Sequence, residues 1–459
     1  MAGGPRLRYP AAIVATAGAH CPARRWPRSA GWGPVGTEEG RVISREAGAQ
    51  GDQEGLPGPA GATVPRSTFG EVFAVGEFRA LWIAQILSVA GDQLARVALT
   101  LLVFDRTHST VLAAATFVAS VVPTFIGGLA LSGLADRLPR REVMIACDLG
   151  SAVLVAVMAL PAMPIGVQVG LLFVVTLVGA PFSSARAALY PDVLSGDRYV
   201  VGTAITITTL QFAQVIGFAA GGAVVGLFGV RISLLADAAT FVVSALITRL
   251  WVRARPAAQT GPAPRIGSLS GVATSVRLVF ADPLLRTPML FGWLAAFVDV
   301  YEGVSTPLAV ALGGGAAATG LILASGAFGA SAGAIAFSRL VQPLQRARWI
   351  TPLAIASCGI LVLFAVHLAL PVALLVLAVS GMLSCYQLPA SAAFVSATPP
   401  ERRSQAFGIA QGGMSLGQGV AMIVAGAAAQ YYAPSTVIAT SGAIGAIVAT
   451  VIAASRSRA

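Results

Sequence analysis

From Ala80 onward the chain repeats one unit, an apolar stretch of about 20 residues closed by a short polar break. The stretches cover 80–103, 111–134, 143–163, 167–190, 201–228, 231–252, 287–312, 316–338, 349–368, 370–395, 404–429 and 434–454. At about 1.5 Å of rise per residue, each reaches across a hydrocarbon layer of ~30 Å. No water is available there to satisfy backbone groups, so the stretches must be helices. The expected fold is therefore all-α and integral to a membrane, with twelve transmembrane helices. Only 11% of the residues are charged and 56% are hydrophobic, against roughly a quarter charged in soluble domains. That excludes disorder, a coiled coil or an ordinary cytosolic enzyme for most of the chain.

All 30 basic residues are Arg, and the net charge is +11. Such an excess raises the question of nucleic-acid binding, but the placement answers it. Breaks after even-numbered stretches hold Arg137, Arg140 and Arg141; Arg198; Arg253, Arg255, Arg265 and Arg277; Arg339, Arg346 and Arg348; and Arg402 and Arg403. Breaks after odd-numbered stretches hold only Arg106 and Arg231. The positive-inside rule then puts the even breaks and both termini in the cytoplasm, in the inner (plasma) membrane. The basic excess is topogenic, and no nucleic-acid partner is expected. Cys21, Cys147, Cys358 and Cys385 show no metal or redox spacing, so they read as small packed side chains. No metal or cofactor is expected.

The organisation follows from breaks in the pattern. Residues 1–68 are rich in Gly, Pro, Ala and Arg and carry no apolar periodicity. They are expected to be disordered, or an extension read from too early a start. The polar break 254–285 holds Pro256, Pro262 and Pro264 and divides the stretches six and six. The bundles are then 69–253 and 286–459. Arg79 precedes Asp92 by the spacing that separates Arg286 from Asp299, and Gln211, Gly217 and Gly226 recur as Gln411, Gly417 and Gly426. Asp197-Arg198 likewise answers Glu401-Arg402. These echoes predict two pseudo-symmetric six-helix bundles, an arrangement used by transporters that rock around a central site.

The first even break reads Gly133-Leu134-Ala135-Asp136-Arg137-Leu138-Pro139-Arg140-Arg141. It resembles the loop 2–3 signature of the major facilitator superfamily. Phe78-Arg79-Ala80-Leu81-Trp82, Gly91-Asp92, Pro123, Asp148, Ala180-Pro181-Phe182, Ala185-Arg186-Ala187-Ala188 and Asp237-Ala238-Ala239-Thr240-Phe241 are similar to the drug:proton antiporter branch, which includes macrolide efflux permeases and the enterobactin exporter. The resemblance covers about 70–455. It departs in two places: Ser338-Arg339 to Arg348 lacks the Asp of a second loop signature, and the fifth stretch has Gly217, Gly221, Gly222 and Gly226 without the Pro of the antiporter motif. The resemblance implies a gate built from Gly133, Asp136, Arg137, Arg140 and Arg141, with the eleventh helix as partner. A charge-assisted contact made in only one conformer, worth ~1.5–3 kcal/mol, biases the inward-outward equilibrium. The alternative is a topogenic hairpin with a solvated Asp136.

An ionisable side chain at bilayer depth costs ~2.5–3.5 kcal/mol on insertion scales and is a functional candidate. Asp92 lies midway along the first stretch with Arg96 at i+4, and Asp299 and Glu302 lie midway along the seventh. The resemblance implies that helices 1, 4, 7 and 10 line a cavity across which these carboxyls face one another. A buried carboxyl beside another can hold a proton near neutral pH and release it to the other side. Asp92, Asp299 and Glu302 are the proton-coupling candidates, the alternative for Asp92 being a structural pair with Arg96. Asp148 and Arg186 read as a pair that is structural or tied to the gate, and Asp237 as structural. Gln93, Phe182, Gln211, Gln214, Trp293, Tyr301, Tyr386 and Gln387 are candidate walls of a cavity for amphipathic molecules.

Gly313-Gly314-Gly315 lacks the Lys and Ser/Thr of a phosphate cradle, so ATP-driven pumping is not expected, and neither is an enzyme. The leading expectation is proton-coupled export, by a monomer, of small molecules such as drugs, antibiotics or siderophores. An uncoupled facilitator or importer of a small metabolite stands beside it, and a membrane-embedded enzyme or sensor stands third.

Overall fold

The computed structural model describes residues 68–131, 138–255, 280–398 and 403–456, all within one unit, Pro65–Ala459. Thr68 starts the described chain by accepting a hydrogen bond at its Oγ1 from the Glu71 N–H, capping a short helix over Phe69–Phe73. The long helices follow. α1 is Gly76–Thr107. α2 is Thr110–Ala119 continued by Val122–Leu131. α3 is Arg140–Met158 and α4 is Ile165–Val193. α5 and α6 are the two limbs of Asp197–Trp251, which turn back on each other at Gly229. Gly229 has φ 80° and ψ 170°, a conformation that a side chain disfavours and glycine adopts freely.

α7 is broken into Pro283–Trp293, Ala295–Val298, Val300–Gly303 and Ser305–Ala311. α8 is Ala316–Leu340. α9 is Ile350–Gly359 flanked by 3-10 turns, and α10 is Leu370–Leu383 carried on by Gln387–Ala397. α11 is Arg403–Ala428 and α12 is Pro434–Arg456. Among the described residues there is no strand. Among the described residues, nine helices are long and apolar enough to cross a membrane, counting the limbs α5 and α6 as one. The elements follow the twelve expected stretches, most ends falling within a few residues. Polar side chains in these helices commonly answer their own backbone, as Thr100 and Thr116 do by donating to the carbonyls of Arg96 and Leu112. Each such bond satisfies a hydroxyl within its own helix.

Small residues set how closely the helices approach, since in lipid packing rather than water expulsion drives association. Gly222 on α5 lies against Ala316 and Gly320 on α8. Gly419 and Gly426 on α11 lie against Val118, Val122 and Ala114 on α2. Thr110 on α2 donates to the Gly426 carbonyl, and Gln430 Nε2 donates to Ser109 Oγ at 3.0 Å. These contacts join the first six crossings to the last six. They sit where α1, α5, α7 and α11 end and α2, α6, α8 and α12 begin, so that end of the bundle is closed. An apolar core including Leu99, Phe117, Phe218, Tyr301, Ile322 and Met422 runs beneath them.

The other end is braced within the first six crossings. Arg140 donates to Asp192 at 2.7 Å and to the Ala188 carbonyl at 2.8 Å, tying α3 to α4. Arg141 donates to the Arg249 carbonyl at 2.6 Å, tying α3 to α6. Glu77 on α1 accepts from the Arg253 N–H and from Arg255, both at 2.7 Å.

Candidate functional site

Intramembrane charge gathers in two cavities. The first, of about 280 Å³, lies among α1 to α6 and is lined by Asp92, Arg96, Asp148, Phe182, Arg186 and Asp237, with Gln85, Ser88 and Phe241. The second, of about 140 Å³, lies between α5 and the broken α7, α8 and α10, and is lined by Gln211, Gln214, Asp299, Tyr301 and Glu302. The helix breaks matter here. Asp299 occupies the one-residue gap between two short helices of α7, with φ −84° and ψ 4°. Its Oδ2 accepts from Gln418 Nε2 of α11 at 2.7 Å. Interrupted helices of this kind are tolerated in membranes where they line a cavity.

Asp92 lines the first cavity, and Asp299 and Glu302 line the second. Arg96 lines the first cavity with Asp92, one helical turn further along α1. Arg96 makes no ion pair with Asp92 among the described residues. It donates to the Ser120 carbonyl at 3.3 Å and lies 5.3 Å from the Phe117 ring centre.

The expected Asp148–Arg186 pair is likewise not made at contact distance. Asp148 Oδ2 accepts from Ser244 Oγ of α6 at 2.6 Å, while the Arg186 guanidinium lies 5.6 Å from the Phe182 ring centre. A nearby hydroxyl gives the carboxylate a short bond, whereas Arg186 faces the ring one helical turn back. Of the loop residues, Gly133, Asp136 and Arg137 lie outside the described residues. Arg140 and Arg141 are described, and they hold α4 and α6.

The candidate wall residues divide. Phe182 lines the first cavity, and Gln211, Gln214 and Tyr301 line the second. Gln93 is buried against Gly217 where α1 crosses α5. Trp293 lines an apolar groove of about 660 Å³ among α7, α11 and α12, and its Nε1 donates to the Ala410 carbonyl at 2.9 Å. Tyr386 is packed in a core with Phe291 and Ile350, and Gln387 follows it on α10, lining neither charged cavity. Aromatics distribute between core and cavity according to helix rotation, which hydropathy does not encode.

Asp237, read from the sequence as structural, also lines the first cavity. It is buried on α6, accepts from Thr240 Oγ1 at 3.4 Å and packs against Gly91, next to Asp92. Its signal was Gly91 itself, which has no side chain where α6 brings a carboxylate. Gln418, which sequence reasoning did not single out, is visible in sequence only as one more amide on α11.

The Major Facilitator Superfamily model matches residues 81–384 and 303–458. The enterobactin exporter EntS of Citrobacter koseri is 26% identical over 277 residues, covering 58% of this chain and 64% of that protein. EntS of Shigella boydii is 27% identical over 274 residues, with 58% and 64% covered. The matched region thus spans a little under two thirds of the length of these relatives. A POT family transporter structure superposes with TM-score 0.66 at 11% identity over 83% of this chain and 96% of that one. The nucleoside transporter NupG superposes at 0.64 and 17%, covering 82% and 98%. Both likenesses concern the fold.

Proposed function

The chain belongs to the Major Facilitator Superfamily, and from that premise we propose that this transporter exports amphipathic small molecules, drugs or natural products of the antibiotic and siderophore kind, in exchange for protons. The observation that carries this reading is the placement of Asp92, Asp299 and Glu302. All three line cavities inside the bundle, and Arg96 shares the wall of the first with Asp92. A carboxyl that alternates between Arg96 and water as the cavity opens can take a proton on one side and give it up on the other. One charge crossing 100 mV is worth ~2.3 kcal/mol, enough to drive uphill export.

On this reading the protein lies in the inner membrane as a monomer with both termini cytoplasmic. The arginine-rich breaks face the cytoplasm, and the end closed by α2–α11 and α5–α8 faces outward. The domains are the bundles 69–253 and 286–459, joined by 254–285. The relatives named as enterobactin exporters support the outward direction.

The test uses everted vesicles carrying the full chain and a fluorescent pH probe, with candidate exported compounds. Asp92→Asn and Glu302→Gln are expected to abolish substrate-dependent proton release. Undiminished release in both variants refutes the proton assignment, and transport that runs only downhill in an uncoupler would indicate a facilitator.

A further inference from the structure

The cavity among α1 to α6 contains one cation whose hydrogen-bonding capacity is unspent. Among the described residues, no hydrogen bond or ion pair reaches the Arg186 guanidinium, and its Nε is buried without a partner. Arg96 shares the cavity, and its Nε is also buried and unpartnered. Two of the three nearby acids are held, Asp148 by Ser244 and Asp237 by Thr240, while Asp92 makes no ion pair with Arg96 among the described residues. Beside the Phe182 ring, then, the cavity presents the unanswered N–H donors of Arg186, with the Asp92 carboxylate elsewhere in the same wall.

We infer that this cavity seats the anionic end of the transported molecule, a carboxylate or similar single negative charge on a flat ring, with Arg186 donating to the anion and Phe182 stacking on the ring. A planar guanidinium fork matches a carboxylate, and it does so best out of water. About 280 Å³ falls just below the ~300–1,000 Å³ range of small-ligand pockets, so the cavity takes a ring-sized end group rather than a whole drug-sized molecule. Asp92, Asp148 and Asp237 in the same wall disfavour a doubly charged group such as phosphate. The inference rests on the transporter reading above and adds the substrate class.

Equilibrium binding to the purified full chain in detergent tests it without any gradient, so its outcome is separate from that of the proton assay. The probes are 1-naphthoate, 1-naphthamide and 1-naphthylmethylamine, titrated calorimetrically. Wild type is expected to bind the acid about tenfold or more tightly than the amide, the scale of a charge-assisted hydrogen bond, with the amine weakest. Arg186→Gln removes the preference for the acid, and Arg186→Lys keeps part of it because the charge remains without the fork. Arg106→Gln, at the opposite end of α1, leaves it unchanged. The wild-type series decides even if a variant fails to fold. Equal binding of acid and amide, preference for the amine, no binding of the acid, or a retained preference in folded Arg186→Gln overturns the inference.

Discussion

Replacing Gly320 or Gly222 with alanine adds one methyl group where α5 and α8 touch through backbone. A Cβ on Gly222 would stand 2.6 Å from the Ala316 oxygen and 2.8 Å from Gly320 Cα, and a Cβ on Gly320 would stand 2.8 Å from Gly222 Cα. The Phe218 oxygen would be nearer still to a Cβ on Gly320, at 2.5 Å, and ordinary contact begins near 3.4 Å, so the helices must part by about 0.6–0.9 Å. Neither neighbour is a flexible side chain that can swing aside. Overpacking of this kind costs about 1–3 kcal/mol. The cost falls only on the conformer in which this end is closed, so the equilibrium shifts about 5- to 150-fold toward the conformer open there. Spin labels at Leu227→Cys and Val310→Cys, on exposed sites of α5 and α7 at that end, read the change by double electron–electron resonance with the four native cysteines replaced. Both alanine variants should enlarge a long-distance population. Gly226→Ala is the control, because its Cβ meets the Ala316 Cβ at an unstrained 3.7 Å. Unchanged distances in both variants, or an equal change in Gly226→Ala, would refute the claim that close glycine packing holds this end shut.

Other substitutions probe the remaining contacts. Thr110→Val removes the bond to the Gly426 carbonyl and should shift the same distance distribution about 2- to 10-fold in population, the scale of one neutral hydrogen bond. Gly91→Ala forces a methyl group onto Asp237 and Thr240, and a loss of about 1–3 kcal/mol should appear as a lower melting temperature in detergent; an unchanged melt would mean that α6 yields freely. Gln418→Leu strips Asp299 of its 2.7 Å donor and should slow transport about 10-fold or more at normal expression, measured as initial efflux rate. Glu77→Gln weakens the bonds to Arg253 and Arg255 and should lower stability by no more than ~1 kcal/mol, read from the thermal midpoint.

Hydropathy and arginine placement determined the helical crossings and the expected side of each loop, because both follow from the local preference of a segment for lipid or water. The stretch 201–252 shows the reach of that signal: the expected break after Phe228 became the turn at Gly229. That ionisable residues at Asp92, Asp148, Asp237, Asp299 and Glu302 belong to the interior was also legible, since lipid will not accept them. Which of them share a cavity was not. That depends on how each helix is rotated and on which distant helix packs against it. Asp237 reaches Gly91 only because α6 crosses α1, and Gln418 reaches Asp299 only because α11 lies beside the break in α7. The same rotations sent Trp293 to an apolar groove and Tyr386 into the core while leaving Phe182 beneath Arg186. A single apolar helix has nearly the same hydropathy on every face, so only its neighbours in the tertiary structure decide which face lines the cavity.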